Sequence, residues 1–233
     1  MALFGESSEQ WQGWMGLHTH GYWLPDNAIM SILVVLLIAL LVIPISRRLS
    51  VEKPSKLQSM FETLITGLED LIEDVVGHGQ GKRFLPIICA LAFFIFFGNI
   101  FGLFYFVQPP TADASTTFAL SITAFLFYNI IGIKDNGVLK YAKHFLGPVM
   151  FLAPLMLIIE LISHAARILS LAIRLFGNIS GEHTATAIFF SIFPFILPWP
   201  MMCLGIFGAC LQAFIFIMLT MAYLNGAVGH EEH

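Results

Sequence analysis

The chain has 233 residues, of which 58% are hydrophobic and only 11% are charged, and its mean hydropathy is +0.83. A water-soluble domain carries roughly a quarter charged residues, so this composition excludes an ordinary soluble protein and indicates an integral membrane protein. The formal net charge of −4 is small, and the placement of the charges along the chain is more informative than their sum.

Five apolar segments are long enough to cross a bilayer core of roughly 30 Å as helices, which takes about 20 residues each. We predict spans at about 27–46, 84–107, 116–133, 148–190 and 199–224. Polar residues interrupt the fourth segment, which is longer than one upright span needs. The turn FPFILPWP before the fifth segment is predicted to break the helix because it contains three prolines, Pro194, Pro198 and Pro200.

The segment between the first two spans, residues 57–77, has the repeat of an amphipathic helix. Its apolar positions form a continuous stripe, and the opposite face carries only acidic charges, at Glu62, Glu69, Asp70, Glu73 and Asp74. We predict a helix that lies in the cytoplasmic interface of the membrane. Because interfacial helices that bind lipid usually carry basic polar faces, the acidic face could contact either a protein neighbour or water.

The basic residues outside the fourth span lie in three clusters, and with five spans all three fall on one side of the membrane. The clusters are Arg47, Arg48, Lys53 and Lys56, then Lys82 and Arg83, then Lys134, Lys140 and Lys143. The opposite segments, 1–26, 108–115 and 191–198, contain no lysine or arginine. Because basic loops stay in the cytoplasm, we predict an external N-terminal segment over 1–26 and a cytoplasmic C-terminus.

The two remaining basic residues, Arg167 and Arg174, lie within the fourth span. At about 100° per residue, nearly all polar side chains of this segment fall on one stripe of a helix. The stripe contains Glu160, Ser163, His164, Arg167, Ser170, Arg174, Asn178 and Glu182. Each charge at the membrane centre costs about 2.5–3.5 kcal/mol on insertion scales, so the stripe must face a cavity, a partner or its own members.

Two interpretations of the stripe are open. Glu160, His164 and Arg167 are close enough along a helix to form a purely structural network, or they line an ion path. Arg174 lies about four turns from Glu160 and two from Glu182, so its partner is expected on another helix or another chain. Arginine stays protonated at physiological pH, so its role is expected to be electrostatic rather than proton-carrying.

The fifth span carries small residues at helical spacing, because Gly205, Gly208 and Ala209 share a face with Gln212. Small side chains allow another helix to approach closely. The Gln212 amide would then either form an interhelical hydrogen bond or line a polar path.

Two stretches are specific enough to indicate a family. SLAIRLFGNISGE, which contains Arg174, and LQAFIFIMLTMAYL, which contains Gln212, resemble subunit a of the F-type ATP synthase membrane sector. GNIFGL in the second span, PPTADASTTFAL before the third and the terminal EEH are also similar to that family.

The resemblance implies a stator beside a ring of c subunits, with two half-channels that carry protons, or Na⁺ in some members, to and from a ring carboxylate. Arg174 matches the arginine that faces this carboxylate, and Arg167 matches a position that is often basic. The matched path positions are Glu160, Asn178, His183 and Gln212; Glu182 and His164 add further titratable groups. In NISGEH either Glu182 or His183 could carry the path, and Gly102 stands where some members have an acid.

The resemblance also implies a single all-α membrane domain, 1–233, with five membrane segments and one interfacial helix. The last two segments, 148–224, would form a long, strongly tilted hairpin beside the ring. The expected partners are the c ring, b-type subunits of the peripheral stalk and the lipid of a bacterial inner membrane. We expect no cofactor, no metal, no nucleic acid and no catalytic chemistry within the chain itself. Because the chain lacks a Gly-rich phosphate loop, we also expect no direct nucleotide binding.

A stand-alone ion or solute transporter is the alternative function. It predicts an internal repeat or paired broken helices, and the sequence has neither. GEHTA does not match the His-Glu-x-x-His pattern of zinc proteases. His18 and His20 could bind a metal, but two histidines in an external segment are weak evidence for one.

Overall fold

The computed structural model describes residues 26–47, 49–50, 54–102, 109–138, 141, 153–192 and 198–228. Over these residues the regular structure is helical, and no β-strand occurs among them. The α-helices are α1 (Asp26–Arg47), α2 (Lys56–Val76), α3 (Gly81–Phe101), α4 (Ala114–Asn136), α5 (Ala153–Ile192) and α6 (Pro198–Val228). A 3-10 turn at Pro110–Ala112 precedes α4.

Five of these helices, all except α2, are long and apolar enough to cross a membrane, so the predicted all-α membrane architecture is confirmed. At 1.5 Å per residue, the 40 residues of α5 extend about 60 Å and the 31 residues of α6 about 46 Å. Both lengths exceed the roughly 30 Å of a bilayer core. These two helices must therefore lie at an angle to the membrane normal or project beyond the core.

Side-chain capping sets the starts of two helices. The Gln58 backbone N–H donates to Ser55 Oγ at 3.2 Å before α2, and the Ser115 N–H donates to Asp113 Oδ1 at 2.9 Å before α4. These bonds satisfy amide groups that the first turn of a helix leaves without an intrahelical partner. At its other end α4 stops at Gly137, whose φ of 77° is a conformation that glycine adopts without strain.

Two of the three prolines in the predicted turn lie in the first turn of α6. Pro198 is the first residue of the helix and Pro200 the third, positions at which a missing N–H breaks no helical hydrogen bond. The last two spans are two separate helices, Ala153–Ile192 and Pro198–Val228, and residues 193–197 of the predicted turn lie outside the described residues. Pro194 lies outside the described residues.

The core consists of two clusters of buried apolar side chains. The first joins α2, α3, α4 and α6 through Ile72, Val76, Phe84, Ile88, Tyr128, Ile217, Met221, Leu224 and Ala227. The second joins α3, α4, α5 and α6 through Leu91, Ile95, Ala124, Leu171, Leu175, Ile179, Ala213 and Phe216. Since α5 contributes three residues to the second cluster, that contact fixes which face of α5 turns inward.

The amphipathic helix α2 packs on the other helices mainly through its second half, although Phe61 in its first half contacts the ring of Phe93 in α3. Ile72 and Val76 are buried, whereas Leu57, Met60 and Leu64 are 61%, 52% and 48% exposed. The apolar stripe of α2 therefore extends past its contacts within the chain. Its exposed part is available to the membrane interface or to another subunit.

Candidate ion-path site

Packing divides the polar stripe of α5 between the inside and the outside of the chain. His164 is buried, with 7% of its surface exposed, whereas Arg174 and Asn178 are exposed. Among the other members, Ser170 is exposed and the partly buried ones are Glu160, Ser163, Arg167 and Glu182. His183 belongs to α5 by its backbone, but its side chain lies outside the described part of the chain.

Arg174 lies on the exposed face of α5, near two glycines. A Cβ atom built on Gly177 or Gly181 would have no atom within 4 Å, so this face is open. Among the described residues, no hydrogen bond or ion pair joins the Arg174 guanidinium to the rest of the chain. Because an unpaired charge at membrane depth is expensive, a second polypeptide or water must meet it on this face.

A second set of polar groups surrounds Glu160 near the start of α5. Glu160 Oε1 lies 3.5 Å from His164 Nε2 and 3.9 Å from Arg167 Nη2. The three side chains thus have the geometry of the structural network that the sequence left open. The Glu160 and Arg167 side chains nevertheless remain 28% and 33% exposed, so the group is not sealed within the chain.

Two tyrosines that the sequence analysis did not select pack on this group. Tyr128 of α4 is buried, and its hydroxyl lies 3.0 Å from His164 Nδ1. The ring of Tyr223 of α6 lies 5.2 Å from the central carbon of the Arg167 guanidinium, a cation–π contact. The sequence could have indicated these two residues, because both lie within apolar spans and a buried tyrosine hydroxyl usually has a polar partner. We call Glu160, His164, Arg167 and Tyr128 the His164 cluster.

Further polar contacts follow Tyr128 along α4. The Tyr141 hydroxyl donates to Asn129 Oδ1 at 2.8 Å. Burial raises the pKa of Tyr141, so the phenol stays neutral and remains a donor. The Asn129 amide in turn donates to the Phe125 carbonyl at 2.8 Å. The polar side chains near the His164 cluster are thus held in fixed orientations.

One of the small residues of α6, Gly208, faces α5 of the same chain. Gly205 and Ala209 are buried, and Gly208 and Gln212 are partly buried. A Cβ atom on Gly208 would lie 3.2 Å from Glu182 Oε2, so the two helices approach closely at this carboxylate. The face expected to admit a neighbouring helix therefore meets the helix that carries Arg174.

Buried polar atoms also occur at the far end of α3. Asn99 and Thr111 are buried, and neither the Asn99 amide nor the Thr111 hydroxyl has a hydrogen-bond partner in the described ranges. Nearby, the Ser180 hydroxyl of α5 donates to the Ala112 carbonyl at 3.2 Å. Buried polar atoms are usually hydrogen-bonded, so these atoms are exceptions among the described residues. The sequence analysis selected neither Asn99 nor Thr111.

Within the described residues, no group of three or more His, Cys, Asp or Glu side chains is arranged to hold a metal ion. His18 and His20 lie outside those residues.

The chain matches the family model described as ATP synthase A chain over residues 28–225. The chain belongs to this family. ATP synthase subunit a of Geotalea daltonii is 44% identical over 179 residues, which cover 76% of this chain and 77% of the relative. ATP synthase subunit a 1 of Syntrophotalea carbinolica is 44% identical over 201 residues, covering 86% and 84%. ATP synthase subunit a of a Sulfurihydrogenibium species is 38% identical over 201 residues, covering 84% and 96%.

Membership in the ATP synthase A chain family confirms the resemblance that the sequence indicated. It makes the chain an integral membrane component of an ATP synthase, with a part in ATP synthesis and ion transport. A subunit family also implies assembly with other subunits in the membrane sector. The matched region contains Arg174, Glu182 and Gln212.

Proposed function

We propose that the chain is the stator subunit of a rotary F-type ATP synthase and passes protons, or Na⁺, to and from a carboxylate on a ring of c subunits. The position of Arg174 carries the proposal. It is a permanent positive charge on the exposed face of an apolar helix, with no partner among the described residues. A carboxylate on a neighbouring rotor supplies the missing negative charge each time it passes.

The proposed role of Arg174 follows from simple electrostatics. A carboxylate in apolar surroundings prefers its neutral form, whereas a nearby guanidinium favours the ionised form. A rotor carboxylate that approaches Arg174 therefore releases its ion. The fixed charge also repels cations that would otherwise cross directly between the two paths. Arginine suits this task because it is not deprotonated in proteins.

Polar groups lie along α5 on both sides of Arg174, as two separate half-channels require. Glu160 precedes it by 14 residues, about 21 Å of helix, and Glu182 follows it by 8 residues, about 12 Å. One path would use the His164 cluster. The other would use groups near the opposite end of α5 and on α6, namely Asn178, Glu182, His183 and Gln212. A potential of 100 mV is worth about 2.3 kcal/mol per elementary charge, so several ions must pass for each ATP.

The proposal includes an orientation and a setting. The basic residues flanking the spans support an external N-terminal segment and a cytoplasmic C-terminus, and the proposed membrane is a bacterial inner membrane. The path near Glu182 then opens to the outside and the path near Glu160 to the cytoplasm. The single domain, 1–233, presents the tilted hairpin of α5 and α6 to the c ring, and b-type subunits of the peripheral stalk hold it still.

The test is Arg174→Ala in membranes that contain the assembled complex. We expect gradient-driven ATP synthesis to be lost, while ATP hydrolysis by the detached catalytic head is unchanged. Arg83→Ala is the matched control, because Arg83 lies in the first turn of α3 and is paired with Asp135. It should retain synthesis. Normal coupled synthesis by the Arg174→Ala complex would contradict the proposal.

A further inference from the structure

Both ring nitrogens of His164 face polar atoms. The Tyr128 hydroxyl lies 3.0 Å from Nδ1, and Glu160 Oε1 lies 3.5 Å from Nε2. The imidazole stacks on the Tyr128 ring, with 6.1 Å between centroids and 14° between planes, and it meets the edge of Phe125 at 5.5 Å. Two residues of α4 thus set the orientation of a histidine on α5.

The charges around the ring decide where its hydrogen belongs. Among the described residues, the titratable and charged groups around it include Glu160 and Arg167 of α5, Tyr128 of α4 and Tyr223 of α6, with Tyr141 nearby. Glu160 Oε1 lies against Nε2, and a carboxylate can only accept a hydrogen bond. The hydrogen of a neutral His164 therefore lies on Nε2 and points towards Glu160. Nδ1 is then an acceptor, and the Tyr128 hydroxyl donates to it.

We propose that Tyr128 is a positioning residue for the ion path, which fixes His164 in the Nε2–H tautomer and directs that N–H at Glu160. The inference rests on the proposed function, because it takes Glu160 to lie on the path. Tyr128 does not itself carry the ion, since its hydroxyl is buried behind His164. Its effect on Glu160 passes through the imidazole. Without the hydroxyl, Nδ1 loses this donor, and only Glu160 still favours the hydrogen on Nε2, so the preference for that tautomer weakens.

The test uses the reconstituted complex with ¹⁵N-labelled histidine, whose nitrogen chemical shifts show which ring nitrogen carries hydrogen. Tyr128→Phe keeps the stacked ring and removes only the hydroxyl. Tyr223→Phe is the matched control, because the Tyr223 hydroxyl makes no hydrogen bond to a described residue and the ring beside Arg167 remains. A His164→Gln complex identifies the His164 signals among those of the eight histidines.

We expect His164 to show hydrogen on Nε2 and a hydrogen-bonded Nδ1 in the unaltered complex and in Tyr223→Phe. Tyr128→Phe should populate the other tautomer and lower passive ion flux through membranes stripped of the catalytic head about fivefold, the effect of one typical hydrogen bond. Combining Tyr128→Phe with His164→Gln should lower flux no further than His164→Gln alone, because the hydroxyl acts through the imidazole.

An unchanged tautomer in Tyr128→Phe would overturn the inference. Additive losses of flux in the double variant would also overturn it, because they would mean that the Tyr128 hydroxyl has only a structural role. A changed tautomer with unchanged flux would also overturn it, because Glu160 would then not depend on His164 for transport. None of these results bears on the Arg174→Ala experiment, so the two proposals fail separately.

Discussion

The Glu182 carboxylate packs against Gly208: a Cβ atom at Gly208 would lie 3.2 Å from Glu182 Oε2. This contact joins α5 to α6 eight residues beyond Arg174, near the groups that we propose to line the outer path. Glycine in the interior of a helix is less stable than alanine by roughly 0.5–1 kcal/mol. Close approach of the two helices is the physical reason for a glycine here.

Gly208→Val should separate α5 from α6 at this contact and lower both thermal stability and passive ion flux. Gly208→Ala should have a smaller effect, because the end of the Glu182 side chain can move by a few tenths of an ångström. Gly226→Val is the matched control. It makes the same substitution in the same helix, but a Cβ atom at Gly226 would have no atom within 4 Å. Thermal unfolding and flux of the purified complex measure the difference, and equal behaviour of the two valine variants would refute the prediction.

Gly177→Leu should leave the chain itself stable but impair its assembly with a c ring. A Cβ at Gly177 has no atom within 4 Å, so the larger side chain meets nothing within the chain. If the face beside Arg174 packs against a rotor, the same side chain collides there. Thermal unfolding of the solubilised chain and recovery of a c ring on purification are the measurements. Gly67→Leu, on the open side of α2, is the control, and normal recovery of the ring with Gly177→Leu would argue against a rotor on this face.

Thr111→Val should not reduce stability, although Thr111 is completely buried. Its hydroxyl has no hydrogen-bond partner among the described residues, so the isosteric valine removes a desolvated polar atom and breaks no protein contact. Replacing such an atom can be neutral or stabilising. Thermal unfolding measures the effect. A loss of more than about 1 kcal/mol would mean that the hydroxyl has a strong partner, with ordered water as the first candidate.

Asp135→Asn should destabilise the complex only slightly, and less at high salt. The Arg83 guanidinium donates two hydrogen bonds to Asp135, at 2.8 and 2.6 Å, and links the start of α3 to the end of α4. Because the Arg83 side chain is 39% exposed, solvent screening limits such a pair to roughly 0.2–1 kcal/mol. Thermal unfolding at low and high ionic strength checks this, since salt should reduce the difference in unfolding temperature between the variant and the unaltered protein. A difference that does not shrink with salt would contradict the account.

The sequence determined where the helices lie because the thickness of a bilayer and the spacing of apolar residues are local constraints. The predicted spans 27–46 and 116–133 fall within Asp26–Arg47 and Ala114–Asn136. The predicted start at 84 is three residues late, because α3 begins at Gly81 and its first turn contains Lys82 and Arg83. Hydropathy marks the apolar run, whereas a helix can continue into polar residues beyond it.

Only the tertiary structure decided which members of the polar stripe turn inward. Helical periodicity placed His164 and Arg174 on one stripe, but packing of Leu171, Leu175 and Ile179 buries the first and leaves the second exposed. Tyr128 and His164 are 36 residues apart in the sequence, so no local sequence pattern predicts their contact. The rotation and register of both helices create it, and these depend on how side chains throughout the core fill the space between helices.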